Sequence, residues 1–125
     1  MAVMQSRDNR TFEAGGDLSA GQFKFVALAA DGQVDVVASA GGNAIGVLLN
    51  NPAAAGRAAT VCVSGSVMIT CGGTVAAGAS LQSDASGDAI TAATGDVVLG
   101  YAREAGVDGQ IIEMEFITGG NVVPV

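Results

Sequence analysis

Histidine is absent from this 125-residue chain, so two cysteines and twelve carboxylates are the main side chains left for chemistry. Without an imidazole there is no Ser-His or Cys-His nucleophile, no histidine metal site and no common general base. Cys62 and Cys71 stand nine residues apart, and two thiols cannot build a tetrahedral zinc site without other soft ligands. Asp84 and Asp88 lie around Gly87 in a serine-rich loop that superficially suggests calcium. An EF-hand needs ligands at alternating positions and a closing Glu, so a solvated hairpin loop is the expectation. Glu113 and Glu115 are two apart on a strand pattern, share a face, and repel unless solvated. Nothing selects an acid in an apolar pocket beside another, which paired-carboxylate hydrolysis requires. Gly41 to Gly46 only loosely resembles a dinucleotide fingerprint and lacks a following helix. The chain reads as a non-enzyme with no metal and no cofactor.

The elements that position these groups are short strands. Phe23 to Leu28 reads as a strand, and Asp31-Gly32 is a hairpin signal. A return strand covers Val34 to Ser39, and Ile45 to Leu49 follows a Gly41-Gly42-Asn43 turn. Asn50-Asn51-Pro52 stops that strand, because proline removes a ladder donor. Ala53 to Ala59 is too short to hold a helix unaided and reads as a loop or one helical turn. Thr60 to Cys71 is the longest strand candidate, and Gly65 inside it suggests a bulge or a close backbone approach. Further strands fall at Ser80 to Gln82, Ala89 to Ala92, Val97 to Glu104 and Gln110 to Ile117. In the last, Ile112, Met114 and Phe116 share one face. About nine short strands with glycine turns predict an all-β domain, a small barrel or sandwich.

The pattern occurs twice. Gly21 and Gly78, Gly32 and Gly87, and Gly46 and Gly100 are spaced 57, 55 and 54 residues apart, which predicts two pseudo-repeated halves. The expected layout is a flexible N-terminal arm over residues 1–14, a β-domain over 15–118 and a tail over 119–125. Two cysteines on one extended strand are about 30 Å apart, beyond disulfide reach. Both are expected as buried, reduced thiols, in keeping with a cytoplasmic site of synthesis.

Apolar residues make up 50% of the chain but aromatics only 4%, so the core is built from small Ala and Val side chains. Thin hydrophobic support of this kind predicts self-association. The net charge of −7 argues against nucleic acid, and no apolar run is long enough for a membrane-spanning helix. Of five cations, Arg7 and Arg10 fall in the first ten residues, with the apolar Phe12 beside them. These three are the candidate contacts of an arm docking on an acidic partner, the alternative being a solvated, frayed terminus. On this reading, removal of residues 1–12 leaves the β-domain folded.

Val61-Cys62-Val63-Ser64-Gly65, then Ala76-Ala77-Gly78 and then Gly100-Tyr101-Ala102-Arg103-Glu104-Ala105 occur in an order and spacing that resemble small capsid decoration (cement) proteins of tailed bacteriophages. The resemblance covers residues 15–117. Tyr101 and Arg103 depart from it by standing where smaller aliphatic residues are expected. It implies an all-β virion protein on the exterior of an icosahedral head, often trimeric. Its implied partners are the major capsid protein and further copies of itself, with the shell stabilised non-covalently. A receptor- or glycan-binding virion module is the alternative. Such modules stack sugars on Trp or Tyr, and here Trp is absent and Tyr101 is alone.

Overall fold

The computed structural model describes the backbone of residues 5–122 and the side chains of residues 8–117. Nine strands follow in order, with no helix among the described residues: β1 (Gln5–Ala14), β2 (Phe25–Ala30), β3 (Gln33–Val36), β4 (Gly46–Leu48), β5 (Ala58–Thr70), β6 (Ser80–Ser83), β7 (Ala89–Thr91), β8 (Val97–Ala102) and β9 (Ile111–Val122). They form one sheet in the order β1-β3-β2-β4-β5-β9-β8-β6-β7, and β1 also pairs with β5. That extra pairing closes β1, β3, β2, β4 and β5 into a ring. The other strands repeat the plan, since β6 pairs with β7 and β8 as β2 pairs with β3 and β4. A single parallel bridge from Cys71 to Ala89 links the end of β5 to β7. It matches the parallel pairing of Ala14 in β1 with Val34 in β3. The thirteen-residue β5 therefore serves both units: its first part pairs with β4 and its second with β9.

The repetition extends to single hydrogen bonds. Ala14 N donates to Arg57 O (2.8 Å), as Cys71 N does to Gln110 O (2.8 Å). Leu48 N donates to Lys24 O (3.0 Å), as Ala102 N does to Ala79 O (2.9 Å). The cores match as well. Ala14, Leu18, Val26, Val34, Leu48, Ala59 and Val61 fill the first ring, and their counterparts Cys71, Val75, Leu81, Ala89, Ala102, Ile112 and Met114 are buried in the second. One sequence pairing changes. Phe23 N donates to Leu48 O and Gly78 N to Ala102 O, so Gly78 is equivalent to Phe23, not to Gly21. Both residues have positive φ (62° and 83°), and Phe23 is the only non-glycine described with one. An L-side chain there costs about 1–2 kcal/mol.

Gly46 and Gly100 occupy matching places where two backbones meet. A Cβ on Gly46 would collide with Cys62 O, and one on Gly100 with Glu115 O. Neither position admits a side chain unless the sheet opens.

Each segment read from sequence as a strand is one; Gly65 itself stays paired with Ser6 and Phe116, and the β1–β5 ladder slips beside it, leaving Arg7 and Val63 as the unpaired residues. The N-terminus departs from expectation. Residues 1–14 look polar and irregular in sequence, yet Gln5–Ala14 is a ten-residue strand paired to β5 from Gln5–Ser66 to Glu13–Ala58. At the other end β9 runs on to Val122, past Gly119 and Gly120, and rejoins β8 at Val97 and Val98.

Candidate docking surfaces

The three residues singled out for partner contact all lie on β1, a structural strand, rather than on a segment apart from the sheet. Arg7 is the extra residue of the β1 bulge, skipped between the Ser6–Gly65 and Asp8–Ser64 pairs; its side chain is outside the described residues. Arg10 is exposed and pairs with Asp8, its Nη2 3.2 Å from Oδ2. An exposed pair of this type contributes little to stability. Phe12 is half-buried and packs against the first core. Arg10 thus keeps its charge at the surface, while part of Phe12 is already committed to the fold.

A second surface, not foreseen from sequence, covers the outside of β5, β9 and β8. Arg103 sits between Glu113 and Glu115, with Nε 3.7 Å from Glu113 Oε2 and Nη1 3.2 Å from Glu115 Oε1. The same Nη1 donates to Ser66 Oγ at 2.7 Å, and Ser66 Oγ donates to Glu115 Oε1 at 2.9 Å. The expected repulsion between the two glutamates is therefore met by a shared guanidinium rather than by water alone. Glu113, only 7% exposed, is a buried carboxylate among strands, a placement that depends on pairing. Tyr101 stands beside this network and is 43% exposed. Only spacing across strands brings these residues together: Tyr101 faces Glu115, and Ser66 faces Glu115 from the other side.

The third feature is the junction between the units. The turn from Asp84 to Asp88 is no solvated loop. Asp84 Oδ1 accepts from Ser86 N (2.8 Å) and Asp88 N (2.9 Å), closing the turn around the carboxylate. Gly87 O accepts from Phe25 N at 2.8 Å, which fixes the turn on the first unit. Lys24 Nζ donates to Ser86 O (3.2 Å) and lies 3.2 Å from Asp88 Oδ1. That contact misses hydrogen-bond geometry, so Asp88 Oδ1 is buried without a hydrogen-bond donor. Burial pushes the Asp88 carboxyl above its ordinary value; Lys24 opposes this, and Asp84 and Asp108 add to it. The rings of Phe25 and Phe116 meet across the junction, with centroids 6.4 Å apart.

Cys62 and Cys71 are both free and buried, as expected. Burial raises both thiols, which disfavours the reactive thiolate. Asp17 accepts from Ser19 N at 2.9 Å, and hydrogen bonding from Ser19 lowers its carboxyl. It closes a local turn.

No protein-family model matches the sequence, and no curated protein matches it either. A solved structure does. The chain is similar to the head fiber gp8.5 N base of bacteriophage phi29, with a TM-score of 0.70, over 91% of this chain and 97% of that one. Sequence identity is 15%, so what the two share is the fold.

Proposed function

We propose that this protein is a structural component of a phage virion, carried on the outside of the head and bound to the major capsid protein. The observation that carries the reading is the likeness to a head-fiber base over nearly the full length of both chains. The sequence resemblance to capsid decoration proteins points to the same location. In this reading the protein holds adjacent capsid subunits non-covalently, as a homotrimer. Many copies on one lattice allow modest contacts to sum to firm attachment. Arg7 and Arg10 supply positive charge on an acidic protein and are the proposed capsid contacts, with the exposed part of Phe12 beside them.

A second reading keeps the location and changes the role: a base that anchors a projecting fiber without strengthening the shell. The name of the structural neighbour favours it. Heads lacking the protein, mixed with purified protein and sedimented, test both readings. Co-sedimentation that raises the temperature of DNA release supports the cement role. Co-sedimentation without that rise supports the base role. Failure to bind heads overturns both, and binding to host cells instead supports the receptor module. Arg7→Ala with Arg10→Ala should weaken attachment most at low salt, since exposed charges are screened within about 10 Å at 0.1 M.

A further inference from the structure

Within one chain, the first unit docks an outward face onto the second. That face presents Phe25, Val37, Val47 and Cys62, all buried in the second unit's core cluster. The bonds that hold it are Phe25 N to Gly87 O (2.8 Å), Gly41 N to Ser83 O (2.8 Å) and Thr70 N to Phe23 O (2.9 Å). Because the two units share a backbone plan, the second unit has an equivalent outward face, on which Tyr101 is exposed and Ser80 and Glu115 are part-exposed, while Ala92 is buried. Its residues at those positions are Ser80, Ala92, Tyr101 and Glu115. The position equivalent to the half-buried Leu49 is Arg103, held by Glu113 and Glu115. Leu49 N donates to Thr60 O just as Arg103 N donates to Glu113 O, which fixes that equivalence.

The opposite end of the molecule is open. The hairpin between β2 and β3 matches the turn that the second unit plugs into the first. In the second unit Ser83 is fully buried and Gly87 is wedged against Val36. In the first unit the counterpart of Ser83 is Leu28, 54% exposed, and a Cβ on Gly32 would meet nothing within 4 Å. A chain of equivalent units therefore has an exposed plug at one end and a socket face at the other. If both stayed apolar, copies would add head to tail, a contact that does not close and so grows into fibres.

We propose that the Ser80–Tyr101–Arg103–Glu115 face is a stop that prevents a second copy from seating its Leu28 hairpin there. Its charges are already paired and hydrogen-bonded, so a copy that covered them would strip their water and give back no new partners. Repeat proteins end their stacks with polar outer faces for the same reason. The stop confines self-association to other surfaces and leaves the Leu28 hairpin free.

The test makes the face apolar like its first-unit counterpart: Ser80→Phe, Tyr101→Val, Arg103→Leu and Glu115→Val together, with valine in place of the equivalent cysteine, followed by sedimentation with circular dichroism as the check on folding. The expected result is a weight-average mass that climbs with concentration to about twice the wild-type value or more. Adding Leu28→Asp should return the mass to that of wild type. An unchanged mass in a folded fourfold variant overturns the proposal, and so does association that survives Leu28→Asp, which marks unspecific stickiness. If the fourfold variant does not fold, Arg103→Leu with Glu115→Leu removes the charged pair alone and is read by the same outcomes. None of these readouts involves a capsid, so the result stands apart from the virion assignment.

Discussion

The two units share a backbone plan and differ in what surrounds it. Seven core positions of the first unit have buried counterparts in the second, yet the second core is the larger because it also holds Val67, Ile69, Leu99 and Phe116 and receives Phe25, Val37, Val47 and Cys62 from its neighbour. The same turn is exposed at Asp31-Gly32 and docked at Gly87-Asp88. A repeated backbone therefore does not dictate a repeated environment. Position in the tandem decides which copy of a residue is core and which is surface.

The largest break in the comparison comes from β1. It closes the first ring along β5, and the second ring gets the same closure from β5 itself. Deleting residues 5–12 exposes the fully buried Val34 and Val61 side. The expectation is a loss of more than about 4 kcal/mol, or of cooperative unfolding altogether, in a denaturant titration. A truncated chain of near wild-type stability would instead make β1 a dispensable arm, as the sequence suggests.

Next come the paired close approaches. Gly46→Ala and Gly100→Ala each push a methyl into the carbonyl of the neighbouring strand. Both should cost about 3 kcal/mol or more, at the severe end for single substitutions. Similar losses at both sites sharpen the equivalence, whereas a mild effect at one site places it outside the shared plan.

The two turns should then separate. Gly32→Ala pays only for its positive φ, about 1 kcal/mol, since its surroundings are open. Gly87→Ala carries the same strain and also sets a methyl 2.5 Å from Val36 Cγ1 and 3.2 Å from Phe25 O. Thermal unfolding should show a clearly lower midpoint for Gly87→Ala than for Gly32→Ala. Equal midpoints would mean that the junction yields at no cost.

The smallest effect belongs to Asp88. Its folded carboxyl lies above the ordinary value that the unfolded chain retains. Between those two values the folded state binds more protons, so the contribution of this group falls as pH rises through the window and is complete below it. Gln33 holds the equivalent place in the first unit and carries no such group. Asp88→Asn should therefore flatten stability against pH over that acidic window. A variant curve parallel to wild type would show that Asp88 titrates normally.

Much of this architecture is written in local residue order. The glycine spacing, the Asp31-Gly32 turn and the Ile112–Met114–Phe116 alternation depend on backbone sterics and period-two side-chain placement, which act over a few residues. They suffice to indicate an all-β chain in two similar halves with two buried thiols. The strand character of Gln5–Ala14 is not legible in this way. Its residues are mostly polar, its bulges shift the phase of alternation, and it is a strand because β5 offers it a long edge. The Arg103–Glu113–Glu115–Ser66 network is hidden for a related reason: its members come from β5, β9 and the bend just after β8, which only the sheet order brings side by side. A serine-rich turn that serves as a plug likewise follows from how one unit sits on the other. The sequence by itself determined the repeating strands, because that information is local. The tertiary structure alone decided which faces are joined, capped or left open, because those outcomes depend on contacts between residues far apart in the chain.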